Sequence, residues 1–470
     1  MPRRLSILVP LYNEEEFIGI LLQRVLDAPL PADMQRELII VNDCSRDSSA
    51  ASVERFIASH PNASIRLLHH AVNQGKGAAI RTAIAAATGD FCIVQDADLE
   101  YDPREYSRLL QPLLEGRADA VFGSRFLVSG ERRVLYFWHS LGNQLLTLLC
   151  NIAADLNLSD METCYKLVRT SLLQSIPIRS NRFGFEPEIT IKLARRKARI
   201  YEMPISYHGR TYEEGKKIGL KDAFEAVWVI LKVRLASDLY TDAGPQILST
   251  LSHARRFNRW MADTIAPYLG ERVLEIGAGI GNLSRLLAPR RKYYAATDVQ
   301  EETLYALAAG LRYPNVQVLR CDLSSAADMA QFQGAVDTVV CLNVLEHVKD
   351  DAQAMRNIYN ALPQGGRAIV LVPHDQALYG KLDQVLGHHR RYSHQQLRAV
   401  MQQAGFRVDH MLEFNRASRP GWYVTGKLLQ RSKINPLALY LFDRGVGLLR
   451  KIDRHLPWGP TSIIGVGVRE

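Results

Sequence analysis

The sequence predicts two α/β domains in series, each built around a mostly parallel β-sheet. Short apolar runs alternate with amphipathic helical segments in both halves of the chain, which is the pattern that βαβ units produce. The alternation stops in a charged and aromatic region and starts again after 238–245, a segment of linker composition. At 470 residues the chain is also too long for one ordinary domain. We therefore predict a first domain over 1–237, a linker over 238–251 and a second domain over 252–470 with an insertion over 415–460.

Each half contains five predicted strands. Those of the first half lie at 5–10, 37–42, 65–69, 91–95 and 119–123, with helices between them such as 14–27 and 77–87. Those of the second half lie at 272–276, 293–297, 316–320, 338–342 and 367–372. A helix precedes the second set, because four apolar residues recur there at helical spacing: Phe257, Trp260, Met261 and Ile265.

Composition and charge narrow the class of protein. The chain is 47% hydrophobic and 23% charged, as expected of a globular protein with a large core. A formal charge of +9 favours anionic partners such as nucleotide phosphates, lipid phosphates, a membrane surface or nucleic acid. The six cysteines have no CxxC spacing, which argues against a zinc site and a disulfide framework and predicts buried, reduced thiols. No signal peptide is predicted, so we expect a cytoplasmic protein. Attachment of the protein to the inner face of the membrane is the alternative within that compartment.

The most apolar stretch of the chain is 134–152. It carries too many polar residues for a comfortable membrane span. Its apolar residues recur at helical spacing and predict a helix, which we interpret as a packed core helix rather than a membrane-interface helix.

Two carboxylates, Asp96 and Asp98, follow the apolar run 91–94. Residues two apart at the end of a strand point the same way, so both side chains could reach one hard cation through oxygen. Such an ion neutralises a diphosphate leaving group. The alternative is a strand followed by an acidic turn.

Three further segments follow predicted strands in the first half. They are 10–16, 42–47 and the glycine-bearing turn 73–79, which opens a helix. Open α/β sheets bind ligands at the carboxyl ends of their strands, where these segments and the acidic pair would meet.

These segments resemble family 2 glycosyltransferases of the GT-A (nucleotide-diphospho-sugar transferase) fold, closest to the dolichyl-phosphate mannosyltransferase-like branch. The resemblance covers residues 1 to about 237 and implies a nucleotide-sugar donor. It implies that the base and ribose are held by Pro10, Tyr12, Glu14 and Asp43. It assigns Lys76 to substrate binding, and Mg²⁺ or Mn²⁺ to Asp96 and Asp98 with Gln95. It implies that the diphosphate is clamped by Arg210 with Lys216 or Lys217.

The acceptor decides the rest of the chemistry. A sugar hydroxyl needs a general base, for which Asp160 and Glu162 are the candidates. A lipid phosphate needs cations instead, which Arg125, Arg132 and Arg133 could supply. The acceptor is therefore predicted as a lipid phosphate or a glycan, and inversion at the anomeric carbon is implied by the resemblance.

Glu186 and Glu188 precede a basic helix end. They could cap that helix or meet the acceptor, and we favour capping because carboxylates stabilise helix N-termini.

In the second half, the predicted strand 272–276 runs into the glycine-rich turn 277–283. Glycines there let a ligand approach the backbone and a helix N-terminus closely. A dinucleotide-binding unit is the first competing interpretation, but the spacing is G-x-G-x-G and not G-x-G-x-x-G. A second strand ends in a polar tip, 343–347.

Residues from about 255 to 470 resemble class I S-adenosylmethionine-dependent methyltransferases, which have a Rossmann-like fold. The resemblance assigns the cofactor loop to Glu275, Gly277, Gly279 and Gly281. It implies that Asp298 takes the ribose hydroxyls, Asp322 the adenine and Asn343 the methionine end. It also implies that the final strand, 462–468, is an antiparallel edge strand.

His347 is the first candidate for the base in methyl transfer, since it follows the strand near which the methyl group would be delivered. In the nearby segment 387–392, His388 or Arg390 could bind a sugar or a phosphate. A structural role for each histidine remains open. The insertion 415–460 contains a basic amphipathic helix. We interpret it as a lid or packing element in preference to a membrane-surface element.

The sequence therefore predicts a bifunctional glycosyltransferase and methyltransferase of glycolipid or polysaccharide assembly, with possible peripheral membrane contact. The alternative is a polyprenyl-phosphate sugar synthase whose second domain acts only as a cofactor-binding or scaffold module. Nucleic acid is not expected as a partner, because charge alone is weak support for it.

Overall fold

The structure is a computed structural model that describes residues 3–127, 134, 136–209, 220–236, 238–431 and 434–470. The chain divides into two compact units, Met1–Thr241 and Asp242–Glu470, called here the N-terminal and C-terminal units. Each has its own seven-stranded sheet and its own core. The predicted α/β fold class with two domains is confirmed.

The N-terminal unit alternates strands and helices through most of its length. Its strands are β1 (Arg3–Leu11), β2 (Met34–Asn42), β3 (Ile65–His69), β4 (Phe91–Val94), β5 (Ala120–Ser124), β6 (Lys166–Arg169) and β7 (Ile200–Pro204). Its helices are α1 (Ile18–Asp27), α2 (Ser49–Ser59), α3 (Lys76–Ala86), α4 (Tyr106–Leu114), α5 (Phe137–Ala154), α6 (Thr170–Gln174), α7 (Phe185–Arg195) and α8 (Leu220–Leu235).

The sheet of this unit has the strand order β3-β2-β1-β4-β6-β5-β7. β1 pairs in parallel with both β2 and β4, and only β6 runs antiparallel to its neighbours. The loops that follow β1, β2 and β4 therefore leave the sheet at the same edge. The sequence analysis did not predict β6 or β7.

The helix α5 corrects the expectation of a packed core helix. Most of its large apolar side chains are exposed, and they are Phe137, Trp138, Leu141, Leu145, Leu148 and Ile152, whereas Leu146 and Leu149 pack inwards. The side that packs inwards contains smaller or polar residues, among them Asn143, Thr147 and Cys150. It packs against α8 through Val229, Ile230 and Val233. Helical spacing predicted the helix correctly, but it could not tell which face would be covered.

The C-terminal unit begins with α9 (Ala243–Leu251), so most of the predicted linker 238–251 is helical. Its other helices are α10 (Arg255–Ile265), α11 (Ser284–Leu287), α12 (Glu301–Gly310), α13 (Ala326–Ala330), α14 (Asp351–Ala361), α15 (Lys381–Leu386), α16 (His394–Gln403), α17 (Arg419–Trp422) and α18 (Pro436–Ile452). Its strands are β8 (Arg272–Ile276), β9 (Tyr293–Asp298), β10 (Val316–Arg320), β11 (Thr338–Leu342), β12 (Arg367–Pro373), β13 (Phe406–Phe414) and β14 (Ser462–Arg469).

The second sheet has the order β10-β9-β8-β11-β12-β14-β13. β14 is antiparallel to both of its neighbours, as expected, but it lies inside the sheet. The edge strand is β13, which the sequence analysis did not identify. The prediction that β14 forms the edge is therefore wrong.

Alternation along the central strands places side chains on two faces of this sheet. Val340 belongs to one apolar cluster, while Val339 and Cys341 belong to the other. Helices cover both faces, which leaves the carboxyl ends of the strands as the open edge. Among the described residues, no helix is both long and apolar enough to cross a bilayer.

Candidate functional site

In the N-terminal unit, Asp43 organises the glycine-bearing loop before α3. Its carboxylate accepts hydrogen bonds from the backbone N–H of Gln74 at 2.9 Å and of Gly75 at 2.7 Å. It also meets Nδ1 of His70 at 2.6 Å. Gly75 has φ +98°, and a Cβ there would lie 2.5 Å from the carbonyl oxygen of Asn181. Asp43 is thus buried and engaged within the loop, whereas the sequence analysis assigned it to the base and ribose.

The other residues assigned to the nucleotide lie beside this loop. Pro10 is in β1, and Tyr12 and Glu14 are in the turn that follows, all partly buried. The backbone N–H of Glu14 donates to Oγ of Ser49 at 2.8 Å, which ties this turn to the segment after β2. The structure therefore brings Pro10, Tyr12 and Glu14 to the same sheet edge as Asp43.

The ammonium of Lys76, at the start of α3, bridges two carboxylates. It lies 2.9 Å from Oδ1 of Asp96 and 3.0 Å from Oε1 of Glu186. Burial opposes the charge of Lys76, but the two carboxylates outweigh it and raise the pKa of Lys76 above its usual value. Glu186 lies in the first turn of α7, the position expected for a carboxylate at a helix N-terminus, and its side chain also pairs with Lys76.

Asp96 and Asp98 lie in the loop after β4, beyond the end of the strand at Val94. Both are partly buried, and Oδ1 of Asp98 accepts from the backbone N–H of Glu100 at 3.1 Å. Two partly accessible carboxylates at a sheet edge are a suitable donor set for a hard divalent ion. Such an ion would share the carboxylate of Asp96 with Lys76.

Gln95 corrects the expectation that it assists the metal. It is fully buried, and its Oε1 accepts hydrogen bonds from the hydroxyls of Tyr106 at 2.6 Å and Tyr165 at 2.8 Å. Its Nε2 donates to the backbone oxygen of Asp96 at 3.0 Å. Gln95 therefore supports the backbone of the acidic loop from inside the core.

The two candidate bases have different environments. Asp160 is fully buried and forms a two-pronged ion pair with Arg125, at 2.7 Å from Nε and 2.8 Å from Nη2. Burial opposes the charge of Asp160, but Arg125 outweighs it and lowers the pKa of Asp160. This pairing occupies both residues, so it argues against Asp160 as a base and against Arg125 as a ligand for an acceptor phosphate.

Glu162 is the better-placed base. Its Oε1 is buried and has no hydrogen-bond partner among the described residues. Burial and the nearby Glu186 raise the pKa of Glu162 to about 7, against the opposing charge of Lys166. A carboxyl with a pKa near neutral pH is suited to exchanging a proton with a substrate.

Arg210, Lys216 and Lys217, the residues assigned to clamping the diphosphate, lie outside the described residues. Arg132 and Arg133 also lie outside them.

In the C-terminal unit, a cavity of about 1060 Å³ opens at the carboxyl edge of the second sheet. Its wall includes all but one of the residues assigned to the cofactor: Glu275, Gly277, Gly279, Asp298, Asp322 and Asn343. Gly281 is not part of that wall. It has φ +79°, and a Cβ there would lie 2.9 Å from Leu307, so it shapes the turn.

Two glycines make the turn after β8 possible. Gly277 has φ +66°, and a Cβ there would lie 2.3 Å from Cγ2 of Val344. Gly279 has φ +56°, and its Cβ would lie 2.5 Å from Leu248 of α9. A cradle that only glycine can form, at the edge of a large cavity, fits a nucleoside cofactor that approaches the backbone closely.

The acidic residues of this cavity have separate tasks. Asp298 at the end of β9 accepts from the backbone N–H of Gly279 at 2.9 Å and of Gln300 at 3.0 Å. Glu275 accepts from the hydroxyls of Ser284 and Tyr294, and burial raises its pKa. Asp298 therefore links the turn after β8 to the end of β9, while Glu275 links β8 to the start of α11 and to β9.

Of the three residues predicted to act on the methyl acceptor, two line the cofactor cavity and one does not. His347 and His388 both line the cavity, with ring centroids 4.7 Å apart. Desolvation and the nearby His388 lower the pKa of His347 to about 4, against a hydrogen bond to the backbone of Leu386. Arg390 is not part of the cavity wall. Its guanidinium instead donates a hydrogen bond to the carboxylate of Asp351 at 2.7 Å.

Comparisons with known proteins give a match for each half of the chain. The family model for glycosyl transferase family 2 matches residues 6–176, and a methyltransferase domain model matches residues 251–411. The chain carries a family 2 glycosyltransferase domain and a methyltransferase domain.

Curated relatives match the glycosyltransferase domain. Dodecaprenyl-phosphate galacturonate synthase of Rhizobium johnstonii is 26% identical over 230 residues, which cover 49% of this chain and 66% of that protein, slightly less than two thirds. Undecaprenyl-phosphate mannosyltransferase of Micrococcus luteus is 29% identical over 228 residues, which cover 46% of this chain and 88% of that protein. The crystal structure of an S-adenosylmethionine-dependent methyltransferase from Mesorhizobium loti is 18% identical, covers 44% of this chain and 96% of that chain, and has a TM-score of 0.31.

Sequence reasoning missed several residues that the structure places in these sites. In the glycosyltransferase domain they are His70, which pairs with Asp43, and Lys166, whose charge acts on the carboxylates of Glu186, Glu162 and Asp160. In the methyltransferase domain they are Glu346 and Asp383, which lie around His388. Glu346 follows a strand in a polar segment, and that position was the one signal that could have identified it.

Replacing Gly277 should remove the cofactor cradle. In Gly277→Ala, the new Cβ collides with Val344, so we expect affinity for S-adenosylmethionine to fall at least tenfold by isothermal titration calorimetry. The matched control is Gly334→Ala, which has φ +71° but open space around its Cβ. It should lose about 1 kcal/mol of stability from backbone strain and keep its affinity. Equal affinity in the two variants would contradict the assignment of the cavity.

Proposed function

We propose that this chain is a bifunctional enzyme of glycolipid assembly. In this proposal, the glycosyltransferase domain moves a sugar from a nucleotide-diphospho-sugar to a polyprenyl phosphate, with inversion and with the help of Mg²⁺ or Mn²⁺. The methyltransferase domain then methylates that sugar or a neighbouring group. Two relatives whose names specify polyprenyl-phosphate acceptors support the first step.

An apolar face exposed among the described residues is the observation that carries the lipid acceptor, and its two helices pack against α7, which contributes Glu186 to the first site. We call it the α5/α8 face, defined by Trp138, Leu141, Leu145, Leu148, Phe224, Trp228 and Leu231. Trp138 is 78% exposed and Trp228 is 65% exposed. Large apolar patches on one surface mark sites of interaction with proteins or membranes. The exposed Lys232 adds a positive charge that suits an anionic lipid surface.

The donor would be bound at the carboxyl edge of β1, β2 and β4. Asp43 fixes the backbone of the loop 74–75, which leaves the turn after β1 to meet the nucleotide. Asp96 and Asp98 would hold a divalent ion, which, when bound, neutralises charge on the diphosphate leaving group. Lys76 supplies a fixed positive charge at the same place, because its two carboxylate partners keep it protonated.

A phosphate acceptor is already an anion and needs no base. Attack by its oxygen would then depend on positioning and on charge neutralisation. Glycan acceptors are the second candidate, and Glu162 favours them, since a carboxyl with a pKa of about 7 could remove the proton of a sugar hydroxyl.

Methyl transfer would be mainly a matter of positioning in the cavity at β8, β9 and β11. The glycine cradle and Asp298 would hold S-adenosylmethionine, which supplies the methyl group. His347 would accept a proton from the acceptor, since its lowered pKa keeps the ring neutral at physiological pH.

Transfer to a lipid phosphate can be measured directly. We expect the purified chain with Mn²⁺ to move label from one member of a nucleotide-sugar panel to a short polyprenyl phosphate. Asp98→Asn should reduce kcat at least 100-fold, while Asp33→Asn, in an exposed turn, should keep it.

Glu162→Gln separates the two acceptor classes. With a phosphate acceptor the rate should change less than about threefold. With a glycan acceptor it should fall about 10²–10⁴-fold, and the rise in rate with pH near 7 should disappear. Failure to label any lipid would overturn the polyprenyl-phosphate proposal.

The α5/α8 face should bind anionic vesicles. Burying a large apolar side chain contributes about 1.5–3 kcal/mol, so Trp228→Ser should weaken sedimentation with phosphatidylglycerol vesicles about tenfold. Ile20→Ser, at an exposed position of α1, is the matched control and should bind normally. Loss of self-association instead of vesicle binding would assign this face to a second copy of the chain.

The two activities should be coupled through a shared product. We expect methylation of the glycosylated lipid to be at least tenfold faster than methylation of the unglycosylated lipid, measured by adding labelled methyl donor after the sugar. Gly277→Ala should abolish the second label and keep the first. Equal methylation of both lipids would contradict the coupling.

A further inference from the structure

We propose that Glu346, His347 and His388 of the methyltransferase domain form a binding site for a divalent transition-metal ion. One oxygen or nitrogen from each side chain lies within 4.8 Å of the others, and Nε2 of His388 is 3.9 Å from Oε1 of Glu346. The site is separate from the acidic loop of the glycosyltransferase domain.

The carboxylate of Glu346 is the observation that requires a partner. The residue is fully buried in the short helical turn Leu345–His347 after β11, and neither of its oxygens has a hydrogen-bond partner in the part of the chain that the structure describes. An isolated buried carboxylate is strongly unfavourable, and such groups are normally paired or bind a metal. Protonation would not remove the difficulty, because an O–H and a carbonyl oxygen would still be buried without partners.

His388 is oriented as a metal ligand. Its Nδ1 lies 2.8 Å from Oδ1 of Asp383, which leaves Nε2 directed toward Glu346. Asp383 is itself fixed by Nε of Arg391 at 2.9 Å and by the backbone N–H of Gly380 at 2.9 Å. Histidines that bind metals usually have such a carboxylate behind them, because it sets the tautomer and the ring orientation.

The donor set indicates the kind of metal. Two imidazole nitrogens and one carboxylate oxygen suit Zn²⁺, Mn²⁺, Fe²⁺ or Co²⁺. With bonds of about 2.1 Å, ligand atoms around a tetrahedral ion lie roughly 3.4 Å apart. The three groups would therefore approach one another by about 0.5–1.5 Å, a change within reach of side-chain rotation.

A three-residue site leaves a coordination position open, and His347 and His388 both line the cofactor cavity. An oxygen of the methyl acceptor could take that position, which would hold it and favour release of its proton to solvent. With the ion bound, His347 would act as a ligand, and this would replace its proposed role as the base. This last step rests on the proposed methyl transfer, whereas binding of the ion does not. The acceptor would then be a hydroxyl, diol or carboxylate group rather than an amine.

The site can be tested on the full chain without any turnover. After chelator treatment and dialysis, titration with Co²⁺ should give one absorption signal of an imidazole-bound ion, with a Kd below about 10 μM. His388→Ala and Glu346→Gln should each weaken it at least 100-fold. His389→Ala, at the exposed neighbouring histidine, should leave it within twofold.

A second variant guards against misfolding. Asp383→Asn keeps the size of the side chain and should weaken Co²⁺ binding about 10–100-fold while circular dichroism stays unchanged. A Co²⁺ signal that survives in His388→Ala, or no signal in the unaltered chain at 100 μM Co²⁺, would overturn the proposal. Failure of sugar or methyl transfer would leave this result unaffected, so the two proposals can fail separately.

Discussion

Parallel pairing of the central strands is the constraint on which both sites depend. β1 pairs with β2 and β4, which aligns Leu11 with Asn42 and Leu8 with Val94. The turns that follow must then leave at one edge, although they are far apart in sequence. β8 repeats this arrangement with β9 and β11 in the second sheet. Polar residues collect at these edges because helices cover the apolar faces.

Buried charges in the glycosyltransferase domain are arranged in pairs and clusters. Arg125 and Asp160 neutralise each other, and loss of one partner from such a buried pair costs about 3–5 kcal/mol. Lys76 stabilises Asp96 and one oxygen of Glu186, but the other oxygen of Glu186 and one of Glu162 have no partner among the described residues. These two unpartnered oxygens belong to the carboxylates around Lys76 and the acidic loop, where a charged substrate would be bound.

The apolar residues of a helix did not reveal which of its faces would be covered by the rest of the protein. Spacing predicted helices over α5 and α18, yet both present large side chains outwards, including Trp138 and Leu448. In α18 the opposite side contributes Leu439 and Phe442 to the cavity wall, which agrees with a lid or packing role. Hydrophobic periodicity reports a stripe on a helix, but the stripe alone does not say whether protein, lipid or solvent meets it.

The sequence by itself determined the two α/β patterns, the order of the two domains, the glycine turn after β8 and the acidic loop after β4. These features are local, because strand, turn and helix preferences act over a few residues. Only the tertiary structure decided which carboxylates are available: Asp160 is paired internally, whereas Glu162 and Glu346 keep buried oxygens without a hydrogen-bond partner among the described residues. That distinction depends on burial and on partners such as Arg125, which approach from distant parts of the chain.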